Sequence, residues 1–158
     1  MPNPNFDDPV VEEQWCLERQ SDVSEHLKRD GVVHGCIGEW PAWHVAPYVS
    51  LWAIESIKRP GEIGWWAICG DLPTDYISAD SIHHPRDAMR AIASRWLDLI
   101  PHMIVGASSA VQLASAESRK DFAPLLERHA KQLLSWAEDD SHWGPEYDDQ
   151  LRGANKRR

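Results

Sequence analysis

At 158 residues and 42% hydrophobic content, the chain is long enough for one domain with its own core, without disulfide or metal staples. A net charge of −9 and a pI near 5.3 exclude nucleic acid as the main partner, because phosphate binding needs clustered Lys and Arg. Nine Trp stand against two Phe and three Tyr, so indoles dominate the aromatic core or a binding surface.

The opening MPNPNFDDP has neither the basic nor the apolar region of a signal peptide. Asp8 followed by Pro9 starts a helix, with a capping side chain and Pro at the first helical position. That helix is expected to run to about Asp30 and stop at Gly31. Val11, Trp15, Val23 and Leu27 form its dry stripe, and Cys16 borders it.

Val32 to Ile37 reads as a short strand. Glu39 to Pro47 holds two prolines and is expected to be irregular, since Pro cannot donate to a ladder. From Tyr48, the run YVSLWAIESI alternates and reads as a strand. Arg59-Pro60-Gly61-Glu62 fits a type II turn, and EIGWWAIC after it is the partner strand of a hairpin, with Gly64 marking a bulge or a close backbone approach. Gly70-Asp71-Leu72-Pro73-Thr74-Asp75 reads as a loop, followed by a short strand at Tyr76-Ile77-Ser78.

Pro85 opens a second helix, with Met89, Ile92, Ala93, Trp96, Leu97, Ile100 and Met103 in its apolar stripe. Pro101 predicts a kink or an end near Ile100. Residues 106–117 read as a connector. Asp121 is expected to cap a third helix ending near Glu138, buried through Phe122, Leu126, Ala130, Leu133 and Ala137. The expectation is one α+β domain over residues 1–143: a small, mainly antiparallel sheet over residues 32–81 packed by three helices. Residues 144–158 follow as a flexible tail ending in Lys156-Arg157-Arg158.

Three constellations are candidates for chemistry. Asp71 and Asp75, four apart at a strand exit, can act as acid and base or converge on a cation, although Asp is also ordinary turn chemistry. His44, in Glu39-Trp40-Pro41-Ala42-Trp43-His44, sits among indoles and is a candidate base or ligand contact, as an alternative to simple packing. With Asp71 and Asp75 it completes a candidate catalytic set. His83 and His84 are the weakest metal candidates, because no HxH or HExxH spacing supports them and His84 also fits a helix boundary.

Glu39, Trp40, Trp43 and Trp66 are the candidate ligand or partner contacts. Glu55 needs a partner if its face is buried, and Arg59, Arg90 and Arg95 are available; a position at the sheet edge would leave it solvated. Cys69 next to Gly70-Asp71 is a remote candidate nucleophile with His44. The three cysteines contain no CxxC, and the chain has no glycine-rich phosphate loop and no GxSxG elbow, so no cofactor is implied. Reduced thiols and the absence of an apolar run of roughly 20 residues predict a cytoplasmic protein with no membrane span.

The runs GEWPAWHVAPYVSLWAIES, GWWAICGDLPTDYIS and His84-Pro85-Arg86-Asp87-Ala88-Met89-Arg90, with the closing Leu134-Ser135-Trp136-Ala137-Glu138-Asp139-Asp140-Ser141, resemble a bacterial family catalogued only as a domain of unknown function. The resemblance covers about residues 12 to 143. It implies a compact cytosolic bacterial domain and carries no activity or site residue with it.

Small size, acidity and surplus tryptophan favour a non-catalytic binding or regulatory protein, inhibitor-like or immunity-like, that docks a basic partner. The alternative is a small hydrolase or metal-dependent enzyme with a His/Asp site around the GDLPTD loop. A homo-oligomer built on exposed aromatics is a third possibility.

Overall fold

A computed structural model describes residues 4–105 and 116–147. They form three helices and a four-stranded antiparallel sheet, an α+β arrangement. By contacts they fall into two compact units, one of residues 4–88 with 144–147, the other of residues 89–105 and 116–143.

In the first unit, helix α1 spans Pro9–Arg29. Asp8 accepts a bond from the Val10 N–H at 2.9 Å, and Pro9 follows where no donor is needed. Asp30 closes the helix, its N–H donating to the His26 carbonyl. Strands β1 (Trp43–Val45), β2 (Val49–Glu55), β3 (Ile63–Gly70) and β4 (Leu72–Ser78) lie side by side in chain order. Helix α1 packs across β2, β3 and β4. Val23 and Leu27 enter a core with Trp52, Ile54, Ala67 and Cys69, and burying each large apolar side chain contributes about 1.5–3 kcal/mol. The opposite sheet face, with Trp43, Val49, Leu51, Trp66 and Ile68, is also buried. Burial on both faces explains why β2 is apolar at nearly every position.

The β2–β3 turn forms as its residues dictate. Glu62 N–H donates to the Arg59 carbonyl at 3.0 Å, and Gly61 has φ 89°, which suits the third position of a type II turn. Gly64 marks a bulge: Ile54 pairs with Trp65, but Glu55 pairs with Ile63. A Cβ on Gly64 would lie 2.9 Å from Ser56 Cα, so the two backbones approach too closely for any side chain.

Three strand expectations are corrected. Residues 43–45 are a ladder strand, because the two prolines at 41 and 47 bracket the pairing with β2 without interrupting it. Residues 32–37 form no strand; only Ile37 bridges, to Ile54, although Gly35, Cys36 and Gly38 also bond the β2 backbone. The GDLPTD loop shrinks to Asp71, and residues 72–78 form β4. Pro73 is tolerated because β4 is the edge strand and the register shifts there between Ile68 and Gly70.

Helix α2 spans Pro85–Val105 and continues into the second unit, passing through Pro101 rather than ending before it. Helix α3 spans Ala116–Glu138, so Asp121 lies inside it and does not cap it; its end at Glu138 agrees with the sequence reading. Within this unit Met89, Ile92, Ala93 and Trp96 of α2, and Leu126, Ala130, Leu133 and Ala137 of α3, are buried. Arg90 Nε lies 2.8 Å from Glu138 Oε1, joining the two helices. A short 3-10 helix, Asp140–His142, follows, capped by Asp139. Residues 145–147 form another, in the first unit. Most of the expected connector and the basic tail 156–158 lie outside the described residues.

Candidate functional site

The strand register separates the candidate catalytic residues. His44 pairs with Ser50, and Ser50 with Cys69, so these three side chains share one sheet face. Asp75 pairs with Ile68, on the other face. Asp71 is exposed at the β3–β4 turn, its N–H donating to the Tyr48 carbonyl at 2.9 Å. His44, Asp71 and Asp75 therefore do not converge.

His44 has a different set of neighbours. Its Nε2 lies 3.0 Å from Glu12 Oε2, near the start of α1, where the helix dipole favours a carboxylate. The imidazole stacks on Trp15 at 6.3 Å between centroids and meets the Trp40 ring edge-on at 5.4 Å. Phe6 and the Arg19 guanidinium also contact Trp15. The group pins the first half of α1 to the edge strand β1.

Sequence reasoning missed Ser50, a fully buried polar residue at the centre of the sheet. Its hydroxyl accepts the Trp52 indole N–H at 2.9 Å and donates to the Cys69 carbonyl at 3.0 Å. Only the pairing of β2 with β3 reveals this, although a Ser inside an apolar strand was the available signal. Cys69 Sγ donates to the Arg19 carbonyl at 3.3 Å. Burial pushes the Cys69 thiol up to about 11, so it stays protonated and is not an activated nucleophile.

Glu55 is half-buried and takes backbone partners instead of an arginine: Gly61 N–H at 3.0 Å and Cys36 N–H at 3.4 Å. His83 is exposed, and His84 Nδ1 accepts from the Arg86 N–H at 3.0 Å, a cap at the entrance of α2. Among the described residues, no three His, Cys, Asp or Glu side chains are grouped to hold a metal ion. Trp43 and Trp66 are buried, and the Trp66 indole donates to the Ile82 carbonyl at 3.0 Å; Trp40 is half-buried and Glu39 exposed.

The outward face of α1 carries two exposed large apolar side chains. Trp15, Cys16, Val23 and Leu27 take the inner stripe. The 3.6-residue repeat then sends Val10, Gln14, Leu17 and Ser21 outward, with Glu18 and Glu25 beside them. Val10 is 74% exposed and Leu17 47% exposed, one heptad apart on the same face. Between Asp7 and Asp30 the sequence carries eight carboxylates and three Lys or Arg.

Residues 10–143 match the model of a family described as Domain of unknown function (DUF4826). The chain belongs to that family. The match begins at Val10 in the first turn of α1 and ends at Trp143, so it takes in all four strands and all three helices of this DUF4826 domain. No curated protein and no solved structure matches the chain. Among the described residues no helix is long and apolar enough to cross a membrane.

Proposed function

We propose that this DUF4826 domain is a non-catalytic binding protein, of the inhibitor or immunity kind, that docks a basic protein partner across the outward face of α1. The observation that carries this reading is the pair Val10 and Leu17, exposed a heptad apart on a helix edged with carboxylates. An apolar centre inside a polar rim is the anatomy of a protein contact. Charge complementarity selects the occupant. A basic surface is drawn to this face, whereas a second copy of a chain with net charge −9 is repelled. The free thiols of Cys16, Cys36 and Cys69 support a reducing compartment, and the proposal places the protein in the cytoplasm.

The test is affinity capture from the native cells with wild-type protein and with the V10S/L17S variant, which alters exposed side chains only. The expected result is a basic protein retained by wild type, lost by the variant, and released as salt rises towards about 0.5 M. Equal retention by both proteins, or retention that salt does not weaken, contradicts the proposal.

A further inference from the structure

A second surface, with no residue of α1 in its lining, lies beside the Pro60–Gly61 turn. A cleft of about 390 Å³ is formed there by the end of the β2–β3 hairpin, Val33 and the residues around Ser78. Its volume is at the small end of the range for small-molecule sites. Val33 and Ile57, 74% and 54% exposed, give it apolar walls, and the half-buried Trp65 adds an aromatic one.

Its polar groups are of both signs. Arg59 and Glu62 face each other at 3.9 Å, and the Ser56 and Ser78 hydroxyls already accept the Arg59 and Asp80 N–H groups. The Lys58 ammonium, the Asp80 carboxylate and the Trp65 indole N–H have no partner among the described residues. A simple anion suits Lys58 but is opposed by Asp80 and Glu62. A simple cation suits Asp80 but is opposed by Lys58 and Arg59. A ligand carrying both charges on a short apolar body satisfies the remaining groups together.

We propose that this cleft binds a small zwitterion with an apolar side chain, of the class of a free aliphatic or aromatic α-amino acid. Lys58 and the Trp65 N–H take the carboxylate, Asp80 takes the ammonium, and Val33 and Ile57 cover the side chain. The site is separate from the α1 face, and neither proposal depends on the other.

The experiment is a titration of the ¹⁵N-labelled full chain with L-phenylalanine, followed by the Trp65 indole N–H resonance, which W65F assigns by its loss. Phenylacetate and phenethylamine, each lacking one charge, are titrated in parallel. The expected result is a saturable shift with L-phenylalanine, at least about tenfold weaker binding for either single-charge analogue, and a similar loss in K58A and in D80N. Lys58 and Asp80 are exposed, so those variants keep the fold. No saturable shift up to about 10 mM ligand overturns the proposal, as does equal binding of either analogue or unchanged binding in both variants.

Discussion

His44 Nε2 lies 3.0 Å from Glu12 Oε2, a bond between residues 32 apart in sequence that joins α1 to the edge of the sheet. This contact gives the histidine an architectural role. Residues His44 and Glu12 should therefore couple in stability. A double-mutant cycle with H44A and E12A, read by urea unfolding, is expected to give about 0.5–1.5 kcal/mol of interaction energy. A coupling near zero would mean that the bond does not hold α1 in place.

Ser50 leads to a sharper expectation. Removing its hydroxyl leaves the Trp52 indole N–H buried with no acceptor. S50A is expected to destabilise the fold by about 1–3 kcal/mol, more than a surface Ser-to-Ala change. Chemical denaturation measures it, and a loss under about 0.5 kcal/mol would show that the indole finds another acceptor.

Cys69 sets a pH dependence with a definite sign. Burial raises its folded-state value from 9.0 to about 11, so the folded chain holds this proton more tightly than the unfolded one. The resulting stability is fully present below pH 9.0 and is lost as pH rises towards about 11. Unfolding free energy should fall across that window in wild type, and fall less in C69A. In the native state the exposed Cys36 should be alkylated first, with the buried Cys16 and Cys69 protected.

Gly70 closes the β3–β4 turn at φ 145°, and a Cβ there would lie 2.5 Å from the Tyr48 carbonyl oxygen. G70A is expected to cost about 2 kcal/mol or more, because both the backbone angle and the contact oppose it. A thermal melt of G70A against wild type measures the cost, and an unchanged melting temperature would contradict this account of the turn.

The elements legible in the sequence were those whose chemistry is local. Asp8-Pro9 and Gly31 bounded α1, Pro60-Gly61 defined a turn, Gly64 marked a bulge, and His84 announced the start of α2. Elements that depend on distant partners were not legible. Strand β4 read as a loop because Leu72-Pro73-Thr74-Asp75 has turn composition, and only its position at the sheet edge lets Pro73 belong to a strand. Strand β1 was hidden by its flanking prolines. The separation of His44 from Asp75 followed from register, which a one-residue slip would reverse. Much of the indole surplus is core, since Trp15, Trp43, Trp52, Trp66 and Trp96 are buried, and the large apolar side chains exposed on α1 are aliphatic, Val10 and Leu17.

The most direct test of the central claim, that the outward face of α1 docks a basic partner, is site-specific photocrosslinking in the native cells. One photoreactive residue replaces Leu17, and a control replaces Ile57, exposed at the hairpin end. The account predicts one discrete adduct to a basic protein from position 17, absent from position 57 and weakened by salt. No adduct at position 17, or the same adduct from both positions, would contradict it.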